Sequence, residues 1–209
     1  MSLTLLVDGL VVVGGLLVGR LVARTALVRA RSRSRRGLGP EEPIESMDVF
    51  TVFPCRLGDV LVRRAERDEA WLAGALVFSE DRPIATMFIA PEAVQDRAVY
   101  ARAARSEVAW LAPISAGAVA PRGEPSSAIE LGGVRFERTR RLPVRVERLG
   151  AGAPEIGGRT VIAEYSGPGI ERVVIVAGEG AVLAWRGVAL SEREYDVLPA
   201  GVQTRPDPT

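Results

Sequence analysis

The chain has 209 residues, 47% hydrophobic and 25% charged, enough to bury one ordinary core and too apolar for wholesale disorder. It contains no His, no Lys and no Asn, so its 27 basic residues are all arginine; its single cysteine excludes an intramolecular disulfide and a thiolate metal cluster, and the missing histidine removes the commonest metal ligand and general base. Residues 1–36 hold seven arginines against one acid and the rest 20 against 25, a net of −5, which argues against the concentrated positive face of a nucleic-acid binder.

From Leu3 to Gly19 the chain reads LTLLVDGLVVVGGLLVG, broken only by Asp8, and Leu21, Val22 and Ala23 extend it past Arg20. At ~1.5 Å per residue such a helix crosses most of a ~30 Å hydrocarbon core, so residues 1–24 are expected to form one transmembrane helix. A cleaved signal peptide carries its positive charge ahead of the apolar run, whereas here Arg20, Arg24, Arg29, Arg31, Arg33, Arg35 and Arg36 follow it. The positive-inside rule then places the N-terminus outside and the remaining domain on the cytoplasmic side of the inner membrane. Residues 25–50 form a basic collar, in contact with membrane lipids, and a linker whose GLGPEEPIESM is rich in Gly, Pro and acids. Gly15, Gly19 and Ala23 make a small-residue stripe suited to helix self-association and a homodimer.

Past Phe53, short apolar runs punctuated by Gly and Pro predict a mainly β domain. Strands are expected at 59–63, 71–78, 84–89, 108–111, 134–138, 144–148, 160–165, 172–177, 181–185 and 194–198, with 91–105 open between helix and strand. Leu57-Gly-Asp-Val60 matches Leu131-Gly-Gly-Val134 at an offset of 74, and Ala109-Trp110 matches Ala184-Trp185 at 75. A near-constant offset suggests two related antiparallel β units, 51–120 and 121–201, forming a barrel or a sandwich, followed by a disordered tail at 202–209.

Candidate chemistry is sparse. Cys55 has no histidine to activate it and reads as a packed thiol. The glycine-rich stretch 150–160 lacks the Lys of a phosphate loop and reads as a mobile inter-strand loop; YSGPG at 165–169 reads as a turn. Glu137, Glu147 and Glu164 read as residues of a solvated strand face. Arg135, Arg138, Arg140, Arg141, Arg145 and Arg148 are the most concentrated charge in the domain. They suit an acidic partner, a lipid headgroup or a polyanion, although cross-strand salt bridges with Glu137 and Glu147 are the simpler expectation.

The segments RLGDVLVRR (56–64), AWLAP (109–113), IELGGVRFERTRRLPVRVERLG (129–150), VIAEYSGPG (161–169) and AWRGVALSEREYDVLP (184–199) together resemble a bacterial domain-of-unknown-function family, the DUF4178 type. The resemblance implies a β-rich domain found near membrane-stress and polyamine-synthesis proteins, and it carries over no functional residue. The expectation is a membrane-tethered, non-enzymatic interaction domain without cofactor that meets a protein partner at the cytoplasmic face. A ligand- or headgroup-binding module using the arginines of 135–148 is the alternative.

Overall fold

The computed structural model describes residues 49–91, 96–119, 124–157 and 159–200. The expected transmembrane helix with Gly15, Gly19 and Ala23, nearly all of the collar and linker, and the tail lie outside them. Among the described residues no helix is long and apolar enough to cross a membrane.

The described residues belong to one compact unit. A 3-10 turn, Val49–Val52, leads into β1 (Val60–Arg63), β2 (Glu69–Trp71), β3 (Gly74–Ser79), β4 (Pro83–Ala90), β5 (Arg97–Arg102) and β6 (Val108–Ile114). After a second 3-10 turn, Ala116–Ala118, come β7 (Ala128–Leu131), β8 (Val134–Gly150), β9 (Thr160–Ser166), β10 (Glu171–Gly178), β11 (Ala181–Leu190) and β12 (Tyr195–Leu198).

Two antiparallel meanders, β3 to β6 and β8 to β11, join edge to edge. Strand β6 pairs with β11, and β3 pairs with β8, so the eight strands close into a barrel rather than a sandwich. Its interior is filled from all eight strands, with Phe78, Met87, Tyr100, Leu111, Val144, Ile162, Val176 and Trp185 among the side chains. An eight-stranded barrel is just wide enough for side chains to fill it.

The outer wall is covered as well. Phe50, Phe53 and Cys55, together with the small sheet β12-β1-β2, cover the outer face of β3 to β6. Ile129 of β7, Val119 and Phe136 cover β9 to β11. Burial on both faces explains why GALVF, TMFIA and RVVIVA read as continuous apolar runs instead of alternating ones. Gly187 lies where β11 presses on β6; a side chain there would overlap the carbonyl oxygen of Trp110.

Several elements differ from expectation. Stretches 134–138 and 144–148 are one strand of 17 residues, β8, because both its edges find partners in β7, β9 and β3. The ambiguous stretch 91–105 contains β5, buried at Ala98, Val99, Tyr100 and Ala101. Residues 151–157 are a plug rather than a mobile loop: Ala153 and Ile156 join the barrel core, and the guanidinium of Arg148 donates to the carbonyl of Ala153 at 2.8 Å.

The sequence matches also fall differently. Leu57-Gly58 precedes β1, whereas Leu131-Gly132-Gly133 turns from β7 into β8. Trp110 of β6 packs on the outside of the wall and Trp185 of β11 inside it, so the two do not occupy equivalent positions.

Candidate functional site

The two ends of the barrel differ in character. One is stoppered by Ala153 and Ile156. At the other, interior-facing positions turn polar: Tyr100 and Arg102 on β5, Glu164 on β9, Arg172 on β10 and Thr139 and Arg140 on β8 surround the opening. Except for Arg140, they line a cavity of about 220 Å³.

Glu164 is the centre of this mouth. Alternation along β9 sets it on the same inward face as Ile162, and it is only 9% exposed. The Tyr100 hydroxyl donates to its Oε1 at 2.7 Å. The guanidinium groups of Arg140 and Arg102 stand 3.5 and 3.6 Å from its two oxygens. Thr139 donates its hydroxyl to the Glu164 carbonyl at 3.2 Å. A carboxylate removed from water is costly unless paired and hydrogen-bonded, and here it is both. Burial, followed by the charge of Glu164, pushes the Tyr100 hydroxyl well above its usual value, so it remains a protonated donor.

A β-bulge delivers Arg140. Arg138 pairs with Tyr165 and Arg140 with Glu164, the extra residue between them being Thr139. Phe136 and the residues before the bulge follow an outward phase, whereas Leu142 and Val144 after it point into the barrel. One inserted residue therefore turns Arg140 to the interior face, although simple alternation would group it with Phe136 and Arg138.

The six arginines expected as one binding cluster are dispersed along β8. Arg135 bonds Glu137 two residues on in the same strand, and Arg138 donates to the carbonyl of Pro125. Arg141 pairs with Glu124 at 2.9 Å. Arg145 donates to the carbonyl of Glu80, and Arg148 secures the plug while facing Glu155 at 3.5 Å. Arg140 alone of the six meets Glu164. Cross-strand pairing with Glu137 or Glu147 is not the pattern; the partners lie mostly in neighbouring loops.

Glu164 itself belongs to no solvated face, contrary to expectation. Its signal was present in VIAEYS, where period-two alternation sets the acid in phase with Ile162. Tyr100 and Arg102 were hidden in the ambiguous stretch.

Cys55 is 2% exposed, and burial pushes its thiol from 9.0 to about 12, as befits a packed side chain. The GD turn is structural too. The Asp59 carboxylate accepts the backbone N–H groups of Arg56 at 2.8 Å and Ala200 at 3.0 Å, holding the start of β1 beside the end of the small sheet. Among the described residues no three His, Cys, Asp or Glu side chains converge as metal ligands.

No protein-family model, curated protein or solved structure matches this chain.

Proposed function

We propose that the chain is a membrane-tethered, non-catalytic binding module whose working face is the polar end of the barrel. The observation that carries this reading is the asymmetry of the two ends: apolar side chains fill one, while a buried carboxylate, a protonated tyrosine and the arginines Arg102 and Arg172 line an open cavity at the other. A rigid wall buried on both faces holds these groups in place before any ligand arrives, which lowers the ordering cost of binding. The side chains suit binding better than turnover. Tyr100 is held protonated, Glu164 is engaged by three partners, and the Cys55 thiol is buried away from the mouth.

The tether rests on residues 3–23 and the arginines that follow them, and affiliation with the DUF4178-type family rests on the segments quoted above. Relatedness of the two meanders rests on their matching order and their separately covered outer faces.

Two measurements test the reading. Full-length chain should resist alkaline extraction from membranes, and a chain lacking residues 1–36 should not. A thermal-shift screen of polyamines, nucleotides and phospholipid headgroups should find a ligand adding about 2.7 kcal/mol at a hundredfold its Kd. A flat screen together with an extractable full-length chain refutes the proposal.

A second reading, docking of a protein partner, is favoured by one observation. Val60 of β1 pairs with Trp71 on one side and Leu198 on the other, and these two are 55% and 53% exposed, so an apolar row crosses the small sheet. Aromatic anchors of this kind dominate interfaces. Loss of a co-purifying partner from Trp71→Ala, with the screen flat, would favour this reading over the first.

A further inference from the structure

We infer that a groove adjoining the mouth binds a phosphate-bearing ligand through Arg82, Arg102, Arg105 and Arg140. The inference rests on the reading of the open end as the working face and assigns its ligand class.

Four arginines from three separate parts of the chain line the groove. Arg82 ends the turn between β3 and β4, Arg102 ends β5, Arg105 lies in the turn towards β6, and Arg140 arrives through the bulge of β8. They line a groove of about 480 Å³ together with the apolar Val52 and Ile84, and no acid lines it. That volume falls within the ordinary range of small-molecule sites, about 300–1,000 Å³.

The charge balance is the main argument. Glu164 lies behind the groove and reaches only Arg102 and Arg140, with the Tyr100 hydroxyl on the same carboxylate. Among the described residues Arg82 and Arg105 have neither an acid nor a carbonyl partner for their guanidinium groups. Glu80 and Asp81, next to Arg82 in the turn, line a different groove with Arg141 and Arg145. Glu107 lines the mouth cavity with Arg102, and Glu192 lines a separate groove with Arg105, but among the described residues neither pairs with these arginines, so Glu164 is the one carboxylate engaged with any of the four guanidinium groups. Crowded like charges repel one another until an anion arrives, and the low-dielectric barrel wall behind them strengthens their attraction for it.

The backbone holds the cluster in shape. The N–H of Arg105 donates to the carbonyl of Arg102 at 3.2 Å, closing the turn. The N–H of Ala103 donates to Ile84 at 3.0 Å and that of Ala104 to Val52 at 2.9 Å, pinning the turn from both sides. Ala104 adopts the left-handed conformation at φ 55°, a strained choice for a residue with a side chain and one that persists where the surroundings enforce it.

Guanidinium groups recognise phosphate through paired N–H donors in a fixed fork. A phosphate monoester carries up to two charges and three terminal oxygens, and so can engage several forks at once, whereas a single carboxylate offers two oxygens. Val52 and Ile84 suit a short uncharged portion of the same ligand. A free phosphate ester and a lipid phosphate headgroup share this chemistry.

The test uses the full-length chain in phosphatidylcholine nanodiscs. Glycerol 3-phosphate and succinate are titrated by calorimetry, and in a second arm phosphatidic acid is introduced into the nanodisc and the thermal shift read. Saturable binding of glycerol 3-phosphate, or a shift with phosphatidic acid, is expected, with succinate at least about tenfold weaker than the free ester. Response to the free ester identifies a soluble ligand, and response to the lipid alone identifies a headgroup. Arg82→Gln and Arg105→Gln should each weaken binding about tenfold. Arg135→Gln, remote on β8, should leave binding unchanged. Succinate binding as tightly as the ester, equal losses from Arg135→Gln, or no response in either arm would overturn the assignment. A ligand without phosphate that shifts the melting temperature equally in wild type and Arg105→Gln would overturn this inference while leaving the binding-module reading in place.

Discussion

Tyr100→Phe removes one oxygen atom from the mouth and leaves the ring that fills the barrel. The lost hydroxyl donates to Glu164 Oε1 at 2.7 Å in a buried setting, and a hydrogen bond to a charged group contributes about 1.5–3 kcal/mol. Arg102 and Arg140 remain at 3.6 and 3.5 Å to compensate the carboxylate, which sets the expected loss in the lower half of that range, about 2 kcal/mol. For a domain of this size that corresponds to a fall in Tm of roughly 4–8 °C. The assay is calorimetric or urea unfolding of wild type, Tyr100→Phe, Glu164→Gln and the double variant. A shared hydrogen bond requires the two losses to be non-additive by about 1 kcal/mol. Strict additivity, or a Tyr100→Phe loss below about 0.5 kcal/mol, would refute the account of Glu164 as a buried, tyrosine-held carboxylate.

Ile156→Ala should cost about 2–4 kcal/mol by urea unfolding, since Ile156 is core in the plug, while Glu155→Ala, one residue away and solvent-facing, should cost almost nothing. Gly187→Ala should cost about 3 kcal/mol or more by the same assay, because its new methyl group meets the β6 backbone. Stability should be level to about pH 9 and fall above it. Burial, then Asp59, raises the folded thiol of Cys55 from 9.0 to about 12, so its neutral form contributes fully below the unfolded value and loses that contribution as pH rises towards the folded one. Urea midpoints should show about 2 kcal/mol lost from this group by about pH 10.5, and Cys55→Ala should remove the earliest part of the decline.

The legibility of this protein divides along physical lines. Period-two patterns and turn residues are local, so most of the strands, the reversal at Gly167 to Gly169 and the mainly β class were readable from the residues themselves. Strand pairing depends on segments far apart in the chain. Closure of the barrel through β3 with β8, and the union of 134–138 with 144–148 across Pro143, depend on partners that alternation does not name. The plug at 151–157 was obscured for the same reason, because glycine-rich composition describes local freedom and says nothing of the cavity that Ala153 and Ile156 fill.

Residue chemistry determined much by itself. Without histidine or lysine, and with one cysteine, the chain narrows to arginine, carboxylate and hydroxyl groups for whatever its surface does. Only the tertiary structure decided which of them meet. An arginine-rich strand looked like one patch on paper, but a strand extends about 3.3 Å per residue and disperses its charges. A single bulge turned Arg140 inward to Glu164, and the chain reversals brought Arg82, Arg102 and Arg105 to the groove that Arg140 also lines. Composition sets which interactions a chain can make, and the long-range register of its strands sets which of them it makes.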